Sequence, residues 1–214
     1  MADVKFCGLT QAADAAFAVE AGAAYVGVVF AGGPRNRSPD QAARVLGRVP
    51  PEVRRVAVVG ADFRATLPSI LSVVRPDIVQ LHGDPSVRDV RDARALGAPG
   101  VWAAVRVAGT DVPAVAAELI AEADALLLDA KVAGGLGGTG TALPWPGLAD
   151  AIGRIRSGGT LVLAGGLTPA NVLDAIAALE PDVVDVSSGV ERAPGVKDHE
   201  RMVQFVDAAR GATR

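Results

Sequence analysis

Short apolar runs alternate with longer, helix-length segments along the whole of the 214-residue chain. The runs contain mainly Val, Leu and Ala and are almost continuously apolar, which is typical of parallel strands that are covered on both faces. Each segment between them has the length of one helix. The predicted strands are Val4 to Cys7, Ala24 to Phe30, Arg55 to Val59, Asp77 to Leu81, Val101 to Arg106, Ala125 to Asp129, Thr160 to Ala164 and Val183 to Ser187. Eight β-then-α units predict one domain, residues 1–214, folded as a single (β/α)8 TIM barrel with parallel strands.

An open sheet is the alternative to a closed barrel. Strands and helices also alternate in doubly wound α/β folds, whose sheets keep two free edges. The alternation by itself leaves both folds open. The presence of eight units in a chain of this size favours the barrel.

Three helix starts are predicted from a capping residue followed by proline. Ser38-Pro39, Asp84-Pro85 and Thr168-Pro169 each place a side-chain oxygen directly before a proline at the first helical position. The first helix is expected from about Thr10 to Ala21. Its small apolar residues predict an inner face formed by Ala12, Ala15, Ala16 and Val19.

Composition and charge exclude several classes of protein. Hydrophobic residues make up 50% of the chain and charged residues 21%, which excludes a disordered chain. The apolar runs are too short to span a bilayer. A net charge of -3 without any Lys/Arg-dense block predicts neither a nucleic-acid nor a membrane partner. The one cysteine, Cys7, has no internal disulfide partner, and the first residues lack a secretory apolar core, so we expect a cytoplasmic protein.

Polar residues are few at the positions where a barrel of this kind carries its chemistry. Reactive groups in such barrels lie at the carboxyl ends of the strands and in the loops that follow them. The candidates there are Cys7, Arg35, His82, Arg106, Asp129, the Gly165-Gly166 pair and the segment Ser187-Ser188-Gly189.

The glycines after strands seven and eight predict a phosphate site. Gly165, Gly166, Ser188 and Gly189 stand at strand-to-helix turns, where exposed backbone N–H groups attract an anion. A short extra helix near Val190 would add its dipole, and barrels commonly hold a phosphate at this position. The alternative is that these glycines only make tight turns.

Each remaining candidate also has a purely structural interpretation. Cys7 alone is typical of a buried small hydrophobe, Asp129 of a carboxylate that accepts loop N–H bonds, and Arg35 of a solvated loop charge. His82 is interpreted as a loop histidine hydrogen-bonded to backbone ahead of a catalytic residue, and it is also a candidate for binding substrate. The convergence of a thiol, a carboxyl group and a guanidinium at one barrel mouth favours a site that acts on a sugar phosphate. No metal site is indicated, because His199 and the lone cysteine lack partners at ligand spacing.

A glycine-rich stretch follows strand six. Residues Ala133 to Gly140 include five glycines, so this stretch is predicted to be a loop and a candidate lid over the site.

The chain resembles the phosphoribosylanthranilate isomerase family from Val4 to about Phe205, and the candidate residues lie within the matching stretches. Any one matching stretch is weak evidence for the family, but together the stretches are specific to it. The stretches are KFCGLT from Lys5, ADAAFAVEAGAAYVGVVF from Ala13, Pro34-Arg35 followed by SPDQA, VQLHGD from Val79, LLLDA from Leu126, GGTG from Gly137, LAGGLTPANV from Leu163 and VDVSSGVERAPGVKD from Val184.

The resemblance implies an Amadori rearrangement in tryptophan biosynthesis, with Asp129 as general acid and Cys7 as general base. It further implies that Arg35 binds the anthranilate carboxylate, and that the reaction needs no cofactor and no metal. A phosphorylated small molecule is then the expected partner, and the chain is expected to be a monomer or a homodimer. Because a free thiol is mostly protonated at neutral pH, we expect charged or dipolar neighbours to favour the thiolate when substrate is bound.

The chain departs from the family pattern in two loops. It reads Val59-Gly60-Ala61-Asp62 after strand three, where the family has a Phe-Val-Asn-like sequence, and Ala31-Gly32-Gly33 before Pro34, where lysine and serine are frequent. Two alternatives stay open. One is a dual-substrate enzyme or a histidine-pathway aminoaldose isomerase. The barrels of the histidine pathway resemble a two-fold repeat, with an aspartate at the position of Cys7 and two phosphate sites. The other is a noncatalytic barrel that only binds a phosphorylated ligand.

Overall fold

The computed structural model describes residues 1–130, 144–156 and 158–211, and they form a closed parallel barrel. Each strand pairs in parallel with its neighbours in chain order, and β8 closes onto β1 with Lys5 opposite Asp185. The barrel strands are β1 (Asp3–Phe6), β2 (Tyr25–Val29), β3 (Arg54–Val59), β4 (Ile78–Leu81), β5 (Val101–Val107), β6 (Ala125–Ala130), β7 (Leu161–Leu163) and β8 (Val183–Val186). The predicted (β/α)8 barrel is therefore confirmed, and the open sheet is excluded.

One helix follows each strand. They are α1 (Ala12–Glu20), α2 (Pro39–Leu46), α3 (Phe63–Val73), α4 (Val87–Ala95), α5 (Val115–Glu122), α6 (Trp145–Ile155), α7 (Val172–Leu179) and α8 (His199–Ala209). Their apolar faces cover the outside of the barrel and form the larger core, in which Phe6 and Phe205 lie with ring centroids 6.3 Å apart. Alternate strand residues point into the barrel and form a second core, whose members include Val56, Val58, Trp102, Leu127 and Val162.

One of the three predicted helix starts is confirmed. Ser38 caps α2 in a full capping box with Gln41. The other two starts are wrong by two or three residues, because Ser86 caps α4 and α7 begins only after Asn171. At α4 the Ser86 and Asp89 side chains form a capping box beyond the proline. At α4 a hydroxyl further along the chain has therefore replaced the residue before the proline as the cap, whereas at α7 Asn171 makes no side-chain capping hydrogen bond and accepts one from the Thr168 backbone N–H.

The inner face of α1 also differs from the prediction. Asp14, Ala15 and Ala18 are buried, whereas Ala12 is exposed. Asp14 tolerates burial because its Oδ1 lies 2.9 Å from His199 Nε2 and its Oδ2 accepts a hydrogen bond from the Lys197 backbone N–H. Ala15 is buried as predicted and Val19 packs against the core, so the difference is that Ala12 lies outside the inner face while Asp14 and Ala18 belong to it.

A short hairpin after β8 was not predicted. A 3-10 turn at Ser188–Val190 stands where the extra helix was expected, and the antiparallel strands β9 (Glu191–Ala193) and β10 (Val196–Lys197) follow it. The predicted loop from Ala133 to Gly140 lies outside the described residues. Within the described part of the chain, no helix combines the length and the apolar character needed to cross a membrane.

Candidate active site

A cavity of about 290 Å³ opens at the carboxyl ends of the strands. All eight residues proposed from the sequence as catalytic or substrate-binding line it, and they come from six different strands or the loops after them. They are Cys7, Arg35, His82, Asp129, Gly165, Gly166, Ser188 and Gly189. Arg106 does not line this cavity, and its guanidinium is paired with Asp84 at the rim.

Cys7 directly follows β1, and its side chain faces the barrel interior. Only 8% of the residue is exposed. A Cβ added to Gly27 on β2 would lie 3.3 Å from the Cys7 sulfur, so the absence of a side chain there leaves room for the thiol. A Cβ on Gly8 would lie 2.5 Å from Arg35 Cδ, which shows that the Arg35 chain crosses directly over the next residue. The thiol and the guanidinium therefore share one corner of the cavity.

Opposing charges surround the thiol. Burial raises the pKa of Cys7, the Lys5 ammonium lowers it, Asp185 raises it and Lys197 lowers it, and the net pKa lies above its usual value. In the free protein the two lysines thus only partly offset the cost of burying a thiolate. Cys7 is therefore mainly a thiol at neutral pH.

Asp129 and His82 lie side by side in the cavity wall. His82 Nε2 is 3.4 Å from Asp129 Oδ2, which is ion-pair range without hydrogen-bond geometry. The other ring nitrogen, Nδ1, lies 3.4 Å from Gln80 Nε2. The ring therefore faces side chains of the cavity. The predicted structural role, a hydrogen bond to backbone, is met only by the His82 backbone N–H, which donates to the Val59 carbonyl at 2.8 Å.

Arg35 is held by a buried carboxylate. Its Nε and Nη2 donate to the two oxygens of Glu191 at 2.8 and 2.7 Å, and Lys197 Nζ donates to Glu191 Oε1 at 2.9 Å. A guanidinium has five N–H donors, so three remain on Arg35 after this bidentate pair. The arginine is thus fixed in direction by Glu191 while it still has donors for a carboxylate ligand.

The loops after β7 and β8 pack backbone against backbone. Gly165 and Gly166 have φ angles of 85° and 67°, which favour glycine. A Cβ on Gly189 would lie 1.9 Å from the Leu167 carbonyl oxygen, so only glycine fits there. The two loops therefore line the cavity with backbone, and N–H groups without side chains in front of them can approach an anion closely.

Five residues of the site and its support were not predicted from the sequence. Gln80 and Asp185 line the cavity, and Lys5, Glu191 and Lys197 hold the residues that do. Their side chains are at most a few per cent exposed, and charged residues are rarely buried without a specific partner. The available signal was a polar residue inside an otherwise apolar strand, as in the segments around Lys5, Gln80 and Asp185.

Among residues 1–130, 144–156 and 158–211, no group of three or more His, Cys, Asp and Glu side chains is arranged to hold a metal ion.

Comparison with known proteins decides the family. The family model described as N-(5'-phosphoribosyl)anthranilate isomerase matches residues 4–208. The chain belongs to this family. The enzyme of that name from Natronomonas pharaonis is 42% identical over 214 residues, covering 99% of each chain. The enzyme from Pseudomonas fluorescens is 40% identical over 207 residues, covering 96% of this chain and 97% of that one.

Solved structures of family members have the same fold. The crystal structure of phosphoribosyl anthranilate isomerase from Thermotoga maritima is 37% identical, with a TM-score of 0.88 and coverage of 99% of this chain and 100% of that one. A family member in complex with reduced 1-(o-carboxyphenylamino)-1-deoxyribulose 5-phosphate is 35% identical, with a TM-score of 0.84 and the same coverage. The predicted family and fold are both confirmed.

Proposed function

We propose that this chain isomerises N-(5'-phosphoribosyl)anthranilate to 1-(2-carboxyphenylamino)-1-deoxyribulose 5-phosphate, a step of tryptophan biosynthesis. The observation that carries the proposal is the convergence of a thiol, a carboxyl group, an oriented guanidinium and two glycine loops on one cavity. The substrate has a group for each of them: a sugar with protons to move, a carboxylate and a phosphate.

Asp129 and Cys7 divide the proton transfers. Asp129 donates a proton to the ring oxygen as the C1′–O bond breaks and the exocyclic nitrogen forms a protonated imine. The Cys7 thiolate then removes the proton from C2′, and the electron pair moves into the imine to give an enolamine. The enolamine tautomerises to the ketone, gaining a proton at C1′ and losing one from the 2′-hydroxyl. The protonated imine is the electron sink, so no redox step is needed.

The anionic ends of the substrate fix the reacting carbons between these two groups. Backbone N–H groups of Gly165, Gly166, Ser188 and Gly189 bind the phosphate. Arg35, with the donors that Glu191 leaves free, binds the anthranilate carboxylate. Such anchoring at both ends converts two proton transfers into reactions within one complex.

The loops after β3 and β4 occupy the position that corresponds, in the other half of the barrel, to the phosphate loops after β7 and β8. Their cavity argues against a histidine-pathway substrate, which has two phosphates. The cavity after β3 and β4 is about 50 Å³, and the Asp89 side chain is among its lining residues. A carboxylate repels a phosphate. This cavity is therefore poorly suited to hold a second phosphate, and a substrate with two phosphates has poor complementarity to this pair of described sites.

A turnover assay tests the proposal. The purified protein is expected to consume N-(5'-phosphoribosyl)anthranilate, followed by fluorescence, and to leave the histidine-pathway aminoaldose unchanged. Removing a general acid or base typically costs about 10²- to 10⁴-fold in rate, so Cys7→Ala and Asp129→Ala should each lose turnover on that scale. Cys7→Asp, which keeps an ionisable base, should lose less. Tight binding without turnover by the wild type would instead support the noncatalytic alternative, and near-normal turnover of Cys7→Ala would reject the assigned base.

The location and the oligomeric state of the protein are further parts of this proposal. We propose a cytoplasmic location, which agrees with a biosynthetic substrate and a single reduced thiol. We further propose a monomer or a homodimer. A solved structure of the Thermotoga maritima relative shows monomers generated from a dimeric enzyme. Light scattering on the purified chain measures which form it takes.

A further inference from the structure

A lysine lies buried in the barrel directly beneath the cavity. Lys5 is on β1, two residues before Cys7, so both side chains face the barrel interior. The Lys5 side chain is 0% exposed, and its Nζ donates to Asp185 Oδ2 at 2.8 Å and to Gln80 Oε1 at 3.0 Å. Burying an ammonium is costly, and apolar side chains would fill the same space without that cost.

The end of the Lys5 side chain lies close to the Cys7 sulfur. A Cβ on Gly27 would lie 3.3 Å from Cys7 Sγ and 3.4 Å from Lys5 Cε. The sulfur and the end of the lysine chain thus lie over the same glycine of the neighbouring strand. At such separations, between two buried side chains, a unit charge strongly biases the ionisation of its neighbour.

We propose that Lys5, fixed by Asp185 and Gln80, is the positioning residue that supplies the counter-charge for the Cys7 thiolate. The proposal rests on the role of Cys7 as the base. The thiol loses its proton to water in the open cavity, the thiolate beside the ammonium takes the C2′ proton, and the thiol is restored. Lys5 keeps its own proton throughout.

The charges around the pair are consistent with these protonation states. Burial lowers the pKa of Lys5, but Asp185 and Cys7 raise it by more, so the ammonium persists. After burial, which raises it, the Lys5 charge is the strongest influence on the pKa of Cys7 and lowers it. Of the other charged or titratable residues that the structure describes here, Arg35, His82, Asp129 and Asp185 line the cavity, Glu191 and Lys197 form the ion pair that holds Arg35, and Arg106 pairs with Asp84 at the rim.

Alkylation with iodoacetamide tests the proposal without any substrate. The chain has one cysteine, so the rate of labelling reports Cys7 alone. Labelling is proportional to the thiolate fraction. Lys5→Met keeps most of the side-chain volume and removes the charge. We expect its labelling rate at pH 7 to fall about ten-fold or more, and the midpoint of the rate against pH to move upward. An unchanged midpoint in folded Lys5→Met overturns the proposal.

A charge-matched control separates the local field from net charge. Arg55 pairs with Asp77 at the opposite end of the barrel, with 33% of its side chain exposed. Arg55→Met removes one positive charge as Lys5→Met does, and it should leave the labelling profile at the wild-type position. A shift in Arg55→Met as large as that in Lys5→Met would attribute the effect to net charge and reject the proposal.

A double variant keeps the test decisive if Lys5→Met does not fold. Lys5→Met leaves Asp185 buried without its cation, whereas Lys5→Met with Asp185→Asn removes both charges. Because Lys5 influences Cys7 more than Asp185 does, the double variant should still label more slowly than the wild type. Labelling as fast as the wild type overturns the proposal.

Turnover gives the second readout. Folded Lys5 variants should show reduced kcat at neutral pH that recovers as pH rises, with a small change in KM, because the base is weakened and the anion anchors are intact. A purely structural lysine would lower activity equally at all pH values. Since alkylation needs no substrate, failure of this proposal is distinguishable from failure of the proposed activity, which would appear as absent turnover in the wild type.

Discussion

Replacing Glu191 by glutamine removes one negative charge from a buried group of three side chains. Glu191 is 4% exposed and accepts two hydrogen bonds from Arg35 and one from Lys197, whose side chain is 0% exposed. Glutamine keeps the volume and one acceptor oxygen. It leaves Lys197 without a counter-charge and turns an amide N–H₂ group toward the cations.

The size of the effect follows from the burial. Removing one partner of a buried ion pair costs about 3–5 kcal/mol in the free energy of unfolding, because the other charge stays buried and unpaired. Two features place the effect of Glu191→Gln at the lower end of this range of unfolding free energies. The amide oxygen retains one hydrogen bond, and burial already lowers the pKa of Lys197, so that this lysine sheds its proton readily once Glu191 is neutral. We therefore expect a loss of about 3 kcal/mol at pH 7.

The loss of stability in Glu191→Gln should become smaller as pH falls. Burial raises the pKa of Glu191, but the hydrogen bond from Arg35 and the charge of Lys197 lower it by more, so the net pKa lies below its usual value. A carboxyl group with a lowered folded-state pKa stabilises the protein above its unfolded value, and this stability is lost as pH falls through the folded value. The stabilities of wild type and Glu191→Gln should therefore converge below about pH 4.

Urea unfolding measures the effect, and Glu122→Gln is the matched control. Glu122 also accepts a bidentate pair, from Arg91 Nε at 3.1 Å and Nη2 at 3.0 Å, but the Arg91 side chain is 67% exposed. Because water screens an exposed pair, this control should unfold at the wild-type midpoint. Equal destabilisation by the two substitutions, or a difference from wild type that does not shrink in acid, would refute the argument from burial.

Two further predictions concern the substrate anchors. Arg35→Met should mainly raise KM, because it removes the planar donors for the carboxylate and leaves the acid and base in place; a fall in kcat at unchanged KM would contradict that role. Gly189→Ala should raise KM and destabilise the fold, since the new methyl would lie 1.9 Å from the Leu167 carbonyl oxygen. Gly153→Ala in α6, where a Cβ meets nothing within 4 Å, should be neutral or slightly stabilising in thermal unfolding and unchanged in activity. Equal effects of the two alanines would show that the contact with Leu167 is unimportant.

Much of the site was predictable because, in this fold, the site residues follow directly after the ends of the strands. Once eight apolar runs alternate with helices, the ends of the strands must meet at one rim, and the polar residues at those ends must converge. Cys7, Asp129 and Arg35 could thus be grouped from the sequence, although they are distant along the chain. Helix starts were less predictable, because Ser86 rather than Asp84 caps α4, and because α7 begins only after Asn171, which makes no side-chain capping hydrogen bond.

Strand and helix periodicity, and the position of a residue at a strand end, are local properties of the chain, so the barrel and the residues around its mouth could be predicted from the sequence. The charges that meet inside the barrel could be identified from the folded chain alone. Lys5 pairs with Asp185 across 180 positions and Arg35 with Glu191 across 156, through the closure of β8 onto β1 and the hairpin that follows. Such partners depend on strand register and barrel closure, and a buried charge is stabilised only by the specific group that the closed barrel brings within hydrogen-bond distance.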